Sequence, residues 1–423
     1  MGVDAGMDAG MMAAGFRCGF VQPRRRTCSM VPAAKATSSS RVAIIGAGFA
    51  GLGVCWNLLK LGHAGRGDPS VEVDVYDAHG VGSGASAVAA GLLHPLNTRG
   101  NVTWRGVDAM NESLGLLREV EVWGQGEVFY RQTGVLKRAK DAKDIERFEQ
   151  IRRERENELE LRVVRSSTQS LPGFIYTPSA YAVDSPRYLE SLRAACEGRG
   201  ARFRRELVRS LKSLRREDYS AVVICAGAAV GTIAELEGKF PLRLSETFGA
   251  EVDGAAPNLH MVHPEDHSQL LPVDPSLLGQ CYVVGQPGGR AVLGALHSNE
   301  PVAAEDAIAG RHLEVSRGSG LEEDSRMEEM GRGVVGKAAG LFPGLLSSAG
   351  LDRVHCGVRA LPPKSEEGRL PICGKLGDGE WYLLGLGARG LLYHQYLGSR
   401  LARAVISGDE TALPEVTRRC EKK

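Results

Sequence analysis

The stretch RVAIIGAGFAGLGVCWNLLKL, Arg41 to Leu61, decides the fold of this chain. A β-branched run at Val42 to Ile45 predicts a strand, and the glycine-rich run GAGFAG at Gly46 to Gly51 predicts a tight turn. Apolar residues then follow at helical spacing from Leu52 to Leu59. Strand, glycine turn and helix in this order are typical of a unit that binds the diphosphate of a dinucleotide at a helix N-terminus.

Three glycines of this unit have separate predicted tasks. Gly46 makes the turn, Gly48 lets the backbone approach a diphosphate, and Gly51 allows the helix to pack closely on the strand. The next apolar run, VEVDVYDA, contains Asp77, whose carboxylate we expect to accept hydrogen bonds from the adenosine ribose. The predicted cofactor-binding residues of this unit are Gly46, Gly48, Phe49, Ala50, Gly51, Asp77 and Ala78.

Two other interpretations of the stretch are an ordinary glycine-rich turn and a membrane span. The downstream carboxylate of Asp77, in the correct order after strand and helix, disfavours the ordinary turn. The glycines, Asn57 and Lys60 disfavour a membrane span, and the sequence has no second stretch of this kind.

Composition sets broad limits on the function. The chain has 423 residues, of which 43% are hydrophobic and 24% are charged, as in an ordinary globular protein of two or three domains. A formal net charge of +1 gives no overall attraction for nucleic acid or anionic membrane. Nine scattered cysteines without a C-x-x-C motif predict neither a zinc site nor a disulfide framework, and we predict no metal site. This favours a reducing compartment.

The first forty residues are expected to lie outside the fold. They are rich in Ala, Gly, Ser and Met, and five basic residues between Arg17 and Lys35 face only two acidic ones, Asp4 and Asp8. This composition predicts an organelle transit peptide, with a disordered tail as the alternative. We expect the protein to be localised in the chloroplast, with the mitochondrion as second choice. The mature chain is expected to begin between about Cys28 and Ser40.

The segment after Asp77, HGVGSGASAVAAGLLHPLNTRG, is dominated by small residues that leave backbone donors accessible. Together with the glycine turn and the acid, it resembles the FAD-dependent amine oxidase superfamily of glycine oxidase and D-amino acid oxidase. The AAGLLHP motif is also similar to a segment in the flavin domain of the bacterial enzyme that makes 5-methylaminomethyl-2-thiouridine in tRNA. The resemblance implies FAD as cofactor and places Ser86, Gly91 and Leu92 against the isoalloxazine ring. We interpret His94 as a helix-entry residue, with covalent flavin attachment as the alternative.

Two further segments are expected to contact the cofactor. The run YSAVVICAGAAVG, Tyr219 to Gly231, predicts a buried parallel strand, and Ala226 and Gly227 at its end are expected near the nucleotide. By resemblance, Val208 covers the adenine, and the loop GLGARGLLY brings backbone amides to the flavin pyrimidine. The predicted residues of that loop are Gly387, Ala388, Arg389, Gly390 and Leu391.

The substrate side is predicted from alternating runs between Phe240 and Arg353, which indicate an antiparallel sheet above the flavin. By resemblance, Tyr282 of CYVV and His297 face the substrate, and Arg359 of GVRALPPKSEEGRLPICG holds its carboxylate. A guanidinium suits bidentate carboxylate binding. The alternatives are a sheet aromatic for Tyr282, a solvated strand-end residue for His297, and a structural ion pair for Arg359. The segment lacks the aspartate of the family pattern.

Other local predictions complete the pattern. Helices are expected at Gly106 to Glu121, at Asp141 to Glu158 and at Arg326 to Leu341, and strands at Glu127 to Lys137 and within Arg202 to Arg216. The charged region that begins at Ile145 is interpreted as a solvated helix, with an RNA-binding face as the alternative.

The sequence therefore predicts an α/β flavoprotein. We expect a Rossmann-like FAD-binding domain from residues 41–101, 183–237 and 354–410, and an α+β substrate domain from residues 102–182 and 238–353, with residues 1–40 and 411–423 as tails. The resemblance implies hydride transfer to flavin N5 from an amino acid or N-substituted glycine, followed by imine hydrolysis, with oxygen as acceptor. The alternatives are modification of a wobble uridine in organellar tRNA and a flavoprotein scaffold without turnover. We expect no membrane partner, and the oligomeric state stays open.

Overall fold

The structure, a computed structural model, describes most of the chain from residue 40 onward. The described residues are 40–62, 71–86, 88–124, 126–165, 173–215, 217–253, 275–286, 290–298, 300–315, 322–341 and 350–418. The predicted transit segment therefore lies outside them except for Ser40, which already begins the first strand.

Twenty strands and seven α-helices are formed by the described residues. The strands are β1 Ser40–Ile45, β2 Val71–Asp77, β3 Leu92–Leu93, β4 Tyr130–Gln132, β5 Val135–Arg138, β6 Arg162–Arg165, β7 Gly173–Thr177, β8 Tyr181–Val183, β9 Arg202–Arg205, β10 Ala221–Ile224, β11 Arg243–Asp253, β12 Ser276–Leu278, β13 Tyr282–Gly285, β14 Ala291–His297, β15 Arg311–Glu314, β16 Gly350–Leu361, β17 Lys364–Ser365, β18 Gly368–Arg369, β19 Ile372–Gly377 and β20 Glu380–Leu384. The helices are α1 Phe49–Gly62, α2 Gly106–Trp123, α3 Ala142–Glu154, α4 Ser185–Gly198, α5 Leu211–Arg215, α6 Glu322–Leu341 and α7 Gly390–Ser407.

The first sheet has six strands in the order β19-β20-β10-β1-β2-β9. All neighbouring pairs are parallel except β19 with β20. Its central strand β1 is buried on both faces, because Ile44 packs into the core under α1 and α7 while Ala43 packs into the core around Tyr76. Burial on both faces explains why the run at Val42 to Ile45 is apolar without alternation.

The second sheet has nine strands in the order β15-β16-β11-β14-β13-β12-β5-β7-β6. It is antiparallel except where β12 runs parallel to β5. Helix α6 covers one face, where Val334 and Ala338 pack with Phe248, Leu293 and Val354. The prediction of a mixed α/β chain with a parallel nucleotide-type sheet and a second, antiparallel sheet is confirmed.

Several local predictions were too long. The predicted strand at Glu127 to Lys137 is divided into β4 and β5, which belong to different sheets, because the chain turns at Gly134. In the region Arg202 to Arg216 only β9 is a strand; the chain then forms the short helix α5, whose Leu211 and Leu214 are buried at helical spacing. The run from Tyr219 to Gly231 contributes only β10, because a 3₁₀ turn follows at Gly227–Thr232.

The first residues of the predicted C-terminal tail pack against the rest of the protein. Leu413 is 2% exposed and belongs to the main core, and Thr417 is 1% exposed. At the other predicted boundary, residue 354, strand β16 runs on through the second sheet to Leu361. The domain limits predicted from the sequence stay a proposal. In that proposal, strand β16 now belongs to the substrate domain.

The charged segment from α3 to β6 forms local ion pairs. Arg147 pairs with Asp144, Arg152 with Glu149, and Arg155 with Glu158. Arginines that neutralise neighbouring carboxylates on a helix surface are not free for phosphates, which agrees with a solvated helix.

The six described cysteines, all buried, are free thiols: Cys55, Cys196, Cys225, Cys281, Cys356 and Cys373. Across the part of the chain that the structure describes, no helix has both the length and the apolar character needed to cross a bilayer.

Candidate cofactor and substrate site

The glycine turn is held in a geometry that excludes side chains at two positions. Gly46 has φ +106°, and a Cβ there would lie 2.4 Å from the carbonyl oxygen of Cys225. A Cβ on Gly51 would lie 1.8 Å from the carbonyl oxygen of Gly46. The turn and the first turn of α1 therefore approach each other so closely that only glycine fits.

The carboxylate of Asp77 organises the turn from the neighbouring strand. Its Oδ2 accepts a hydrogen bond from Ala47 N at 2.8 Å, and its Oδ1 accepts from His79 N at 3.1 Å, Gly80 N at 3.0 Å and Ser83 Oγ at 3.1 Å. The sequence predicted a ribose contact for Asp77 but not this structural task. The ribose contact stays a prediction, and Oδ2, with one bond, retains the capacity for it.

Ser86 lies beside the glycine turn. Its Oγ accepts a 3.2 Å hydrogen bond from Phe49 N in the first turn of α1, and a Cβ on Gly48 would lie 2.8 Å from that oxygen. The hydroxyl thus lies at the turn where the diphosphate is expected, and its place against the isoalloxazine ring stays a prediction. The cause is the return of the loop after Asp77 across the glycine turn, fixed by Gly82 N donating to Ala47 O at 3.1 Å.

A cavity of about 420 Å³ begins at this turn and continues to the second sheet. Every predicted site residue lines it except Gly51, which lies beneath the turn at the helix–strand contact. The residues that it brings together are Gly46, Gly48, Phe49, Ala50, Asp77, Ala78, Ser86, Gly91, Leu92, Val208, Ala226, Gly227, Tyr282, His297, Arg359, Gly387, Ala388, Arg389, Gly390 and Leu391.

The C-terminal loop closes the cavity with a second helix N-terminus. A 3₁₀ turn at Gly387–Arg389 leads into α7, and a Cβ on Gly390 would lie 2.9 Å from the Phe49 ring at the start of α1. Two helix N-termini, α1 and α7, therefore approach the same cavity. Both ends carry partial positive charge, which suits a diphosphate and an electron-rich ring.

At the far end of the cavity, strand β16 contributes Arg359 and strand β13 contributes Tyr282. The Tyr282 hydroxyl lies over Gly294, where a Cβ would be 2.2 Å from it. Burial raises the pKa of Tyr282 above its usual value, although the charge of Arg359 and a hydrogen bond with it act in the opposite direction. The phenol is therefore protonated at neutral pH and faces a guanidinium.

No carboxylate of a described residue forms an ion pair with Arg359. The interpretation of Arg359 as part of a structural ion pair is therefore not supported within the described chain. Among the cavity-lining residues only Asp77 and Glu206 are acidic, and both belong to the β2–β9 end of the parallel sheet. The guanidinium end of the cavity is suited to an anion.

His297 is an exposed residue at the end of β14, in agreement with the solvated strand-end interpretation, and it also lines the cavity. Its Nδ1 lies 3.1 Å from Thr247 Oγ1. Desolvation lowers the pKa of His297, and the charges of Arg359, Lys337 and Arg243 lower it further. The ring is therefore neutral at pH 7.

His94 was interpreted wrongly from the sequence. It follows the short strand β3 and is not a helix-entry residue, because α2 begins only at Gly106. Its Nδ1 is buried without a hydrogen-bond partner in the described chain. Burial, followed by the charges of Arg389 and Lys137, lowers the pKa of His94 to about 3. The neutral ring lines the cavity, and covalent flavin attachment, the alternative given by the sequence, stays a prediction.

The residues present fit FAD. The glycine turn, α1 and Asp77 would hold the adenosine diphosphate half, and the loop before α7 would hold the flavin. Val208 and Ala226 line the same cavity. When bound, FAD would supply a two-electron acceptor in the cavity that Arg359 also lines.

Comparison with known proteins gives the same assignment. The family model described as DAO, FAD dependent oxidoreductase, matches residues 41–404. The uncharacterized oxidoreductase YurR of Bacillus subtilis (strain 168) is 26% identical over 397 residues, which cover 88% of this chain and 95% of YurR. The tRNA 5-methylaminomethyl-2-thiouridine biosynthesis bifunctional protein MnmC of Maricaulis maris (strain MCS10) is 27% identical over 94% of this chain, but only 59% of MnmC is covered.

Two solved structures share the fold with a TM-score of 0.66 each. Glycine oxidase from Geobacillus kaustophilus is 19% identical, and the match covers 91% of this chain and 100% of that one. Iminodiacetate oxidase from Chelativorans sp. BNC1 is 20% identical, with coverage of 90% and 100%. Because the family model spans most of the chain and the cavity fits the cofactor, this protein belongs to the DAO family of FAD-dependent oxidoreductases.

Proposed function

We propose that this oxidoreductase acts on the C–N bond of an amino acid or an N-substituted glycine. The observation that carries the proposal is Arg359, a guanidinium that lines the cavity without a carboxylate partner in the described chain. Because an arginine removed from water needs a compensating anion, a substrate carboxylate is the group that fits there. The relation to glycine oxidase supports the same class of substrate.

The proposed reaction requires orientation more than proton transfer by a side chain. Arg359 and the Tyr282 hydroxyl hold the carboxylate, so that the adjacent carbon faces the redox cofactor. The amine binds in its neutral form with its α-carbon toward the cofactor; FAD would supply the acceptor for a hydride, and water would hydrolyse the imine product. Oxygen is the proposed acceptor of the two electrons, with hydrogen peroxide as its product.

The proposal is tested by anaerobic titration of the purified flavoprotein with glycine derivatives and D-amino acids, followed at 450 nm. We expect bleaching by at least one carboxylated amine and retention of flavin but loss of bleaching in Arg359→Ala. Arg403→Ala, an exposed arginine on α7, is the matched control and should respond like the wild type. Unchanged bleaching in Arg359→Ala would exclude the assigned role.

A second candidate function is modification of a uridine side chain in organellar tRNA, favoured by the match to MnmC over 94% of this chain. It predicts tRNA binding that weakens steeply with salt. Binding that does not change between 50 and 200 mM salt, or no binding, would leave the small-molecule amine as the substrate.

We also propose a chloroplast location, based on the composition of residues 1–40. A fluorescent protein fused behind these residues should enter plastids, and the mature N-terminus should lie between about Cys28 and Ser40. Import into mitochondria, or recovery of an intact Met1, would contradict this.

A further inference from the structure

One buried hydrogen bond joins helices α4 and α7 behind the cavity wall. The Tyr188 hydroxyl lies 2.7 Å from Nε2 of His394, and both side chains are 0% exposed. The other ring nitrogen, Nδ1, lies 2.9 Å from the carbonyl oxygen of Leu391 in the first turn of α7. His394 therefore bridges the start of its own helix and a side chain of α4.

The proton positions in this pair follow from the carbonyl group. A carbonyl oxygen only accepts, so Nδ1 of His394 carries the proton, Nε2 keeps its lone pair, and the Tyr188 hydroxyl donates to Nε2. Burial lowers the pKa of His394 to about 4 and raises the pKa of Tyr188 well above its usual value, so both groups are neutral at pH 7. Both protons are donated to partners within the chain, so these bonds need no ligand.

The two helices joined by this bond are attached to different parts of the cavity wall. Tyr188 lies in the first turn of α4, and the chain just before that helix is fixed to Gly91, because Val183 N donates to Gly91 O at 2.7 Å. A Cβ on Gly91 would lie 1.7 Å from Val183 O, so the two backbones are in direct contact. Gly91 and Leu391 both line the cavity, and the sequence predicted that both contact the flavin.

The ring of Phe49, which lines the cavity, packs against the same pair. Its centroid is 5.5 Å from that of His394 and 6.3 Å from that of Tyr188. At the first residue of α7, a Cβ on Gly390 would lie 2.9 Å from the Phe49 ring. A shift of α7 relative to α4 would therefore displace a ring of the cavity wall, since close-packed interiors transmit such movements.

We propose that Tyr188 and His394 are positioning residues, which set the distance between the two walls predicted to hold the flavin. Their hydrogen bond holds the first turn of α7, whose N-terminal end carries partial positive charge, in place relative to the wall at Gly91. When FAD is bound, that charge would stabilise the negative charge of its reduced ring. This inference goes beyond the proposed function, because it concerns the cofactor and holds for any substrate of the site.

The test measures the reduction potential of the flavin in the purified holoenzyme. Tyr188→Phe removes the hydroxyl and leaves Nε2 of His394 without a donor, so the first turn of α7 is held less firmly. We expect the preference for reduced over oxidised flavin to fall about threefold to tenfold, which makes the potential about 15–30 mV more negative. Unfolding temperature, measured in parallel, reports the effect on stability.

Two substitutions of His394 separate its two hydrogen bonds. In His394→Gln the amide oxygen can take the place of Nε2 and accept from Tyr188, so most of the wild-type potential should be kept. In His394→Asn the shorter amide reaches only the carbonyl of Leu391, and the potential should shift as in Tyr188→Phe. The double variant Tyr188→Phe/His394→Asn should shift no further than either single variant, because both substitutions remove the same bond.

Tyr393→Phe is the matched control for a loss of stability alone. Tyr393 precedes His394 in α7, is 0% exposed, and donates its own hydrogen bond to Trp104 O at 2.7 Å. Trp104 lies outside the residues that line the cavity. The control should unfold at a lower temperature than the wild type, as Tyr188→Phe does, while its flavin potential stays at the wild-type value.

The outcomes separate positioning from stability. Equal potentials in wild type, Tyr188→Phe and His394→Asn, with lower unfolding temperatures in both variants, would assign the bond to stability only and overturn the inference. Additive shifts in the double variant would also contradict it. If Tyr188→Phe does not retain FAD, the two His394 variants decide: different potentials or FAD contents support the inference, and equal values overturn it. None of these measurements uses an amine, so the proposed function can fail while this inference stands.

Discussion

Asp77 accepts a 2.8 Å hydrogen bond from the backbone N–H of Ala47, so the second strand of the parallel sheet directly supports the glycine turn. The other carboxylate oxygen accepts three bonds from the following loop. One side chain therefore positions both the turn and the loop that returns across it.

Replacing Asp77 with asparagine should reduce both stability and FAD content. An amide has only one acceptor oxygen, so an NH₂ group would face backbone N–H donors. We expect the free energy of unfolding to fall by about 1–3 kcal/mol. Urea denaturation and the ratio of absorbance at 450 and 280 nm measure the two effects. Asp378→Asn, at an exposed turn, should change neither, and full flavin content with unchanged stability in Asp77→Asn would contradict the prediction.

Gly51→Ala should unfold or severely destabilise the protein. The added Cβ would lie 1.8 Å from the Gly46 carbonyl oxygen, and both atoms belong to backbone that cannot yield. We expect a loss of more than about 3 kcal/mol, seen as a lower urea midpoint or as insoluble protein. The matched control is Gly115→Ala in α2, where a Cβ meets no atom within 4 Å. It should stabilise the protein by about 0.5–1 kcal/mol, because alanine has the higher helix propensity.

Stability should depend on Asp74 at low pH. Burial alone would raise the pKa of Asp74, but hydrogen bonds from Arg202 at 2.6 Å, Tyr219 at 2.7 Å and Arg41 at 3.0 Å outweigh it and lower the pKa to about 2. Because the pKa is lower in the folded than in the unfolded chain, this stabilisation is present above about pH 4 and is lost as the pH falls toward 2.

The prediction is measured as the difference in unfolding free energy between wild type and Asp74→Asn. At pH 6 to 7 the wild type should be more stable by about 2 kcal/mol, and the difference should shrink between pH 4 and pH 2. A difference that stays constant over this range would show that ionisation of Asp74 is not its source.

Tyr282→Phe should raise KM more than it lowers kcat. The hydroxyl faces Arg359 and, by the proposed function, the substrate carboxylate, so its removal costs about one hydrogen bond in binding. We expect KM for the best amine to rise about fivefold to tenfold in oxygen-consumption assays. Tyr130→Phe, whose hydroxyl bonds to Glu121 outside the cavity, is the control. A large fall in kcat with unchanged KM would assign Tyr282 to the chemical step instead.

Much of the nucleotide half could be predicted from the sequence because its rules are local. A glycine at Gly46 and another at Gly51 are required by contacts within one strand–turn–helix unit, and the apolar run at Val42 to Ile45 follows from burial on both faces of β1. These constraints act over a few residues, so the order of residue types is enough to reveal them.

The substrate side of the cavity was harder to predict from local sequence rules. The sequence resemblance indicated Arg359, but nothing near it in the chain showed that it would lack a carboxylate partner or face Tyr282. Likewise the charge of Arg389 acts on His94, which is far from it in sequence, and Ser86 accepts a hydrogen bond from Phe49 N of α1. Each of these relations depends on how loops return across the sheets.

The sequence by itself determined the strand, glycine turn and helix and the two kinds of sheet, since short-range backbone sterics and hydrophobic periodicity encode them. The resemblance of its motifs to a known family indicated the flavin cofactor. Only the tertiary structure decided which charges are neutralised and which polar atoms stay unpaired in the cavity. Neutralisation requires atoms from distant segments to come within a few ångströms, and that distance is set by packing of the whole fold rather than by neighbours in the chain.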